Sequence, residues 1–86
     1  MNVTVLYFAR LREAIGRERD VFSLPPEVTT VGALRGWLVA QGDPWAGAFA
    51  ETRRVRAAVN HEMARDDATP LSDGAEVAFF PPVTGG

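Results

Sequence analysis

The chain has 86 residues, 47% of them apolar, carries a formal charge of −2 and contains no cysteine; this is one domain, short enough that folding shields only about 60–65% of the unfolded surface. Without cysteine it has no disulfide and no thiol to carry sulfur or bind metal, and with His61 as its single histidine it offers neither a zinc ligand set nor, beside Ser23 and Ser72, a recognisable nucleophile context. No apolar run approaches the roughly 18 residues that cross a bilayer, and Met1-Asn2-Val3-Thr4 lacks the basic start of a secretory signal, so a cytoplasmic location with no membrane partner is expected.

Residues 1–9 alternate as a strand does, with Val3, Val5 and Tyr7 on one face and Asn2, Thr4, Leu6 and Phe8 on the other. The polar start of the second set assigns Val3, Val5 and Tyr7 to the core and leaves Leu6 and Phe8 on the opposite side. Ala9 to Ile15 carries Leu11 and Ile15 four residues apart and is followed by Gly16, a natural left-handed C-cap, which predicts a short helix. Arg19 to Leu24 predicts a second strand with Phe22 and Leu24 alternating, and Pro25-Pro26 ends it because proline lacks the ladder donor.

The main helix is predicted from Val31 to Gln41. Thr30 serves as N-cap, and Val31, Leu34 and Leu38 form an apolar stripe widened by Trp37. Gly32 and Gly36 cost such a helix about 1 kcal/mol each relative to alanine, and their spacing suits a close approach of helix to sheet. Gly42 and Asp43-Pro44 end the helix; Trp45, Ala46 and Phe49 predict a further short helical turn. Trp37 and Trp45 are read as packing residues, with anchoring of a partner as the alternative.

All nine basic residues are arginine, and they are interspersed except at Arg53-Arg54-Val55-Arg56. No aromatic residue interleaves with that cluster and the chain is acidic overall, so it reads as a solvated loop and strand edge, with no nucleic-acid partner. If the C-terminus joins an amine on another protein, this chain presents no lysine on which to build chains of itself. Val55 to Asn60 predicts a third strand with Val55, Ala57 and Val59 on one face, and a turn at His61-Glu62 leads to a short strand near Met63. Asp66-Asp67 is read as a solvated loop pair, with no metal expected. Pro70 to Gly74 is turn chemistry. Glu76 to Phe80 predicts the last strand, with Val77 and Phe79 facing one way and Glu76, Ala78 and Phe80 the other.

Strand, strand, long helix, strand, short strand, strand is the order of an α+β two-layer domain. It reads as a β-grasp (ubiquitin-like) roll, a mixed four- to five-stranded sheet with one main helix packed on one face. The expected division is a β-grasp domain over 1–80 and an extended, flexible C-terminal tail over 81–86. Pro81-Pro82 are pre-set near extended geometry, and Gly85-Gly86 leave the last carboxylate without a β-carbon beside it. Such a tail threads a narrow channel, and Pro81 to Gly86 can span at most about 20 Å. Strand parity points Phe8 and Phe80 away from the helix-covered face, with Met63 near them, which marks a docking surface.

The run Asp73-Gly74-Ala75-Glu76-Val77-Ala78-Phe79-Phe80-Pro81-Pro82-Val83-Thr84-Gly85-Gly86 closely resembles the C-terminal signature of the small subunits of molybdopterin synthase, the MoaD-like sulfur carriers. Val5-Leu6-Tyr7-Phe8-Ala9-Arg10-Leu11-Arg12-Glu13, Thr30-Val31-Gly32-Ala33-Leu34-Arg35 and Ala57-Ala58-Val59-Asn60 resemble the same family at matching spacing. The chain departs from the family pattern at Gly32 and Gly36 and in a longer loop near Asp66 to Ala68; the tail is untouched.

The resemblance implies a sulfur-donating subunit with no catalysis of its own. A C-terminal carboxylate, with an ordinary pKa of about 3.3–3.7, is ionised and a poor electrophile. The family's solution is adenylation of the residue here numbered Gly86 by a ubiquitin-activating-type enzyme using ATP and magnesium. A sulfur donor protein then converts it to a thiocarboxylate. Pro81, Pro82, Val83, Thr84 and Gly85 would thread this end into the large subunit, where sulfur passes to a cyclic pyranopterin precursor to build the molybdopterin dithiolene. The resemblance also implies docking through the sheet by Phe8, Met63 and Phe80, a heterotetramer of two small and two large subunits, and no cofactor bound by this chain. A sulfur carrier of the thiamin pathway and a ubiquitin-like protein modifier remain the alternatives, since both share the double glycine and its activation.

Overall fold

The computed structural model describes residues 1–52 and 54–82; Arg53 and Val83-Thr84-Gly85-Gly86 lie outside the described residues. Strand β1 (Asn2–Tyr7) pairs antiparallel with β2 (Arg19–Ser23), and helix α1 (Ala9–Ile15) lies between them in sequence. Gly16 closes α1 at φ 83°, where its N–H donates to the carbonyl of Arg12 at 2.9 Å, as the left-handed cap requires.

Helix α2 (Val31–Ala40) starts where Thr30 Oγ1 accepts the N–H of Ala33 at 3.1 Å, and it leads into α3 (Trp45–Glu51). There, Asp43 Oδ1 accepts the N–H of Gly47 at 3.0 Å. Strands β3 (Arg56–Val59) and β4 (Glu62–Met63) form a hairpin, and β5 (Glu76–Phe80) returns through the middle of the sheet. The strand order is β2-β1-β5-β3-β4, with β1 and β5 parallel and the other pairs antiparallel. This five-stranded mixed sheet with helices on one side is a β-grasp fold.

Parity decides the core. Val3, Val5 and Tyr7 of β1, Ala57 of β3 and Val77 and Phe79 of β5 all turn to one face and are buried there against Leu11, Ile15, Val31, Leu34, Leu38 and Ala48 of the three helices. Each fully buried Val, Leu or Phe contributes about 1.5–3 kcal/mol, which is how so short a chain holds together. Trp37 and Trp45 pack edge-on to Phe22, at centroid distances of 5.3 and 6.1 Å. The Nε1–H of Trp45 donates to the Tyr7 hydroxyl at 3.0 Å, so both tryptophans are packing residues.

Element boundaries differ from the sequence reading by a residue at several ends: β2 stops at Ser23, α2 at Ala40, and β3 begins at Arg56. The turn expected at Trp45 is a seven-residue helix. The role assigned to the α2 glycines is corrected. A Cβ on Gly32 would stand 2.7 Å from the Cβ of Asp67, so the close approach is to the loop after β4 and not to the sheet; Gly36 faces nothing within 4 Å.

Candidate functional site

Among the described residues no helix covers the opposite face of the sheet, and the strand registers show how its side chains line up. Leu6 pairs with Arg19 on one side and Ala78 on the other, Ala78 pairs with Ala58, and Ala58 pairs with Met63. One row across all five strands therefore reads Arg19, Leu6, Ala78, Ala58, Met63. Two alanines at its centre make the strip shallow, with Leu6 and Met63 standing at its sides.

The next row lies at the C-terminal end of β5. Phe80 pairs with Arg56, and the N–H of Phe8 donates to the carbonyl of Phe79 at 3.1 Å, which carries the β1–β5 pairing one residue further and sets Phe8 alongside Phe80. Phe8 is 46% and Met63 54% exposed, while Phe80 is half-buried and outside the core cluster. The row on the other side is mixed: Val21, 71% exposed, pairs with Thr4 and Thr4 with Glu76, and Asn60 Oδ1 accepts the N–H of Glu76 at 2.9 Å. The aromatic side chains of this face, Phe8 and Phe80, lie at the end where the chain continues into the half-buried Pro81-Pro82.

The helix side supports that corner. The guanidinium of Arg35 on α2 donates through Nη1 to the carbonyl of Val55 at 3.0 Å, pairs through Nη2 with Asp67 at 3.3 Å, and lies 5.8 Å from the centroid of Phe79. This one side chain ties the start of β3 and the loop after β4 to the end of β5. Asp66 and Asp67 are engaged in that loop, Asp66 Oδ1 accepting the N–H of Ala68 at 2.9 Å and Asp67 through its carbonyl from Gly32 N–H at 2.9 Å. His61, at the tip of the β3–β4 hairpin, is 3.4 Å from Glu76 Oε1.

Sequence parity had already assigned Leu6, Phe8, Ala78 and Phe80 to the open face. Ala58 was not recognised, because a small residue between two core positions carries no signal until its cross-strand neighbours are known. Of the expected threading residues, Pro81 and Pro82 are described; Val83, Thr84, Gly85 and the expected carrier residue Gly86 lie outside the described residues. No helix among the described residues is long and apolar enough to cross a membrane.

Residues 5–86 match the model of the ThiS family, so the match takes in both the open-face rows and the terminal glycines. The chain belongs to the ThiS family. This ThiS-family chain is 48% identical over 84 residues to the molybdopterin synthase sulfur carrier subunit of Escherichia coli (strain K12), covering 98% of the chain and 99% of that protein. Identity to the protein of the same name from Haemophilus influenzae is 39% with the same coverage. Among solved structures, the Haloferax volcanii HVO 2177 protein superposes with a TM-score of 0.76 at 29% identity, covering 100% of this chain and 87% of that one.

Proposed function

We propose that the chain is the sulfur carrier subunit of molybdopterin synthase and that its working atom is the carbonyl carbon of Gly86. Attack of the Gly86 carboxylate on ATP, in a ubiquitin-activating-type enzyme, yields an acyl-adenylate and pyrophosphate. Sulfide-level sulfur delivered by a donor protein adds to that carbonyl carbon, AMP leaves, and a thiocarboxylate remains. The loaded tail then enters the large subunit, its sulfur bonds to the pyranopterin precursor, and water cleaves the acyl carbon–sulfur bond, leaving the sulfur on the precursor and the tail as a carboxylate. A dithiolene holds two sulfurs, so two loaded tails serve each product. The chain contributes reach, docking and the acyl carbon from which sulfur departs; acid–base groups belong to the partners.

The observation that carries this reading is the 48% identity over nearly the full length of a protein named as such a carrier. The open face supports it, because Phe8 and Phe80 stand side by side at the end of the sheet from which the tail departs, with exposed Met63 one row back on β4. A partner seated there would have the tail delivered into it, and a span of up to about 20 Å reaches a pocket below such a surface.

The test is direct. The full chain is incubated with ATP, magnesium, a candidate activating enzyme and a sulfide source, and its intact mass is taken. The loaded protein is then mixed with the large subunit and the pyranopterin precursor. Exchange of one terminal oxygen for sulfur, followed by dithiolene formation, is expected. A chain lacking Gly86 should remain folded and unloaded; normal loading of that variant would falsify the reading. Attachment of the unmodified tail to lysines of many cellular proteins, with no sulfur exchange, would favour the protein-modifier alternative.

A further inference from the structure

We propose that the arginines at the root of the tail form a basic rim that selects, in the protein receiving the tail, an apolar patch bordered by carboxylates. The proposal rests on the sulfur-carrier reading and adds the chemistry of the surface that the carrier docks on. Arg56 is the register partner of Phe80, so its side chain stands on the open face beside the last aromatic before the tail. The N–H of Ala64 donates to the carbonyl of Ala57 at 2.9 Å, which carries the β3–β4 pairing past Met63 and brings Arg65 alongside Arg56. Exposed Arg54 lies at the approach to the same strand.

Like charges opposite one another on neighbouring strands oppose sheet formation. Here they stand uncompensated: among the described residues Arg12, Arg17 and Arg35 each pair with a carboxylate, whereas Arg54, Arg56 and Arg65 do not. At the other end of the apolar row Arg19, register partner of Leu6, is likewise exposed and without a carboxylate partner among the described residues. In a chain of net charge −2, the arginines without a carboxylate partner among the described residues, Arg10 on α1 apart, stand at the margins of this open face. The apolar row between those margins calls for an apolar counterpart, which favours a protein surface over a nucleic acid. Rim charges of this kind steer encounter and fix register more than they add affinity.

The experiment measures association of the full chain with the molybdopterin synthase large subunit from low salt to roughly 0.5 M, where screening confines charge effects to a few ångströms. Wild type, Arg56→Glu, Arg65→Glu and the double variant are compared, with glutamine substitutions at both positions serving if the glutamates disturb folding. Wild-type association should slow about tenfold or more across the range. The double variant should associate at least about tenfold more slowly at low salt and lose most of the salt dependence, with a melting temperature equal to or above wild type. Equal rates and salt slopes for wild type and the double variant would overturn the rim, as would tighter binding of a short DNA or RNA duplex than of the large subunit at equal salt. A wild-type chain that binds the large subunit independently of salt sinks the rim alone, and one that fails to bind at any salt sinks the carrier reading with it.

Discussion

The hydroxyl of Tyr7 donates to Asp20 Oδ2 at 2.9 Å, linking β1 to β2 on the helix-covered side of the sheet. Asp20 is held in turn by Arg17, whose Nε and Nη2 donate to its two oxygens at 2.9 and 3.0 Å, while the Arg17 guanidinium lies 5.4 Å from the centroid of the Trp45 ring. Four residues from β1, β2, the α1–β2 connection and α3 thus satisfy one another around a phenol whose side chain is otherwise in the core. Burial holds the Tyr7 hydroxyl well above its ordinary value of 10.0; the bond donated by Trp45 pulls it back, and Asp20 pushes it further up.

That shift has a sign. Above pH 10 the unfolded chain loses the phenolic proton while the folded chain keeps it, so the folded state binds more protons and stability falls as pH rises. Stability from this group is complete below about pH 10 and is lost above it. Denaturant titrations at increasing pH should show the decline. Since Tyr7 is the only tyrosine, phenolate absorbance should appear with unfolding and not before it. Tyr7→Phe should abolish the tyrosine-linked decline and cost about 1–2 kcal/mol at neutral pH, because Trp45 and Asp20 each lose a partner.

The β3–β4 hairpin turns through Asn60 and His61, at φ 50° and 72°, between the paired Val59 and Glu62. Positive φ at both central residues is the demand of a type I′ turn, for which Asn-Gly is the favoured pair. His61→Gly relieves the Cβ strain and gives up a 3.4 Å contact between an 85% exposed imidazole and Glu76, which is worth little. The variant should be more stable by about 0.5–1 kcal/mol, read from the denaturation midpoint at unchanged slope. A lower midpoint would show that His61 holds the hairpin to Glu76.

Gly32 and Gly36 separate two effects of alanine in one helix. At Gly36 the new methyl meets nothing within 4 Å, so Gly36→Ala should stabilise by up to about 1 kcal/mol through helix propensity. At Gly32 it would meet the Cβ of Asp67 at 2.7 Å and the Asp67 carbonyl oxygen at 3.1 Å, and the Gly32 N–H to Asp67 bond would have to shift with it. Gly32→Ala should therefore destabilise by about 1–3 kcal/mol. Thermal melts of the two variants should move in opposite directions.

Phe79 and Phe80 are neighbours with opposite duties. Phe79 is fully buried, edge-on to Phe49 at 5.3 Å, and Phe79→Ala should cost about 3–5 kcal/mol. Phe80 is half-buried on the open face. Phe80→Asp should lower the melting temperature by no more than about 5 °C, corresponding to roughly 1 kcal/mol. The same change should weaken large-subunit binding about tenfold or more. A collapse in melting temperature would make Phe80 a core residue instead of a docking one.

Most of the fold was legible along the chain because its signals are local. Alternation in residues 2–8 and 76–80, the Thr30 cap, the Leu34 and Leu38 stripe and the Gly16 stop are each properties of a few consecutive residues, and all are found where they were expected. The glycines of α2 were misread for the opposite reason: what Gly32 makes room for, Asp67, lies 35 positions away in sequence. That Phe8 and Phe80 share the open face was legible from parity; the alanine strip between Leu6 and Met63 was not.

The amino-acid sequence by itself determined which side chains of each strand share a face, where the main helix begins, and that Pro81-Pro82 lead into the double glycine Gly85-Gly86. These follow from backbone periodicity and from the stereochemistry of single residues. Only the tertiary structure decided which rows form across the sheet: Arg56 beside Phe80, Leu6 in line with Ala78, Ala58 and Met63, and Arg35 beneath the end of β5. Such neighbours are set by register and strand order, which depend on how distant segments bury their apolar faces together, and a one-residue slip would send every side chain of a strand to the other side.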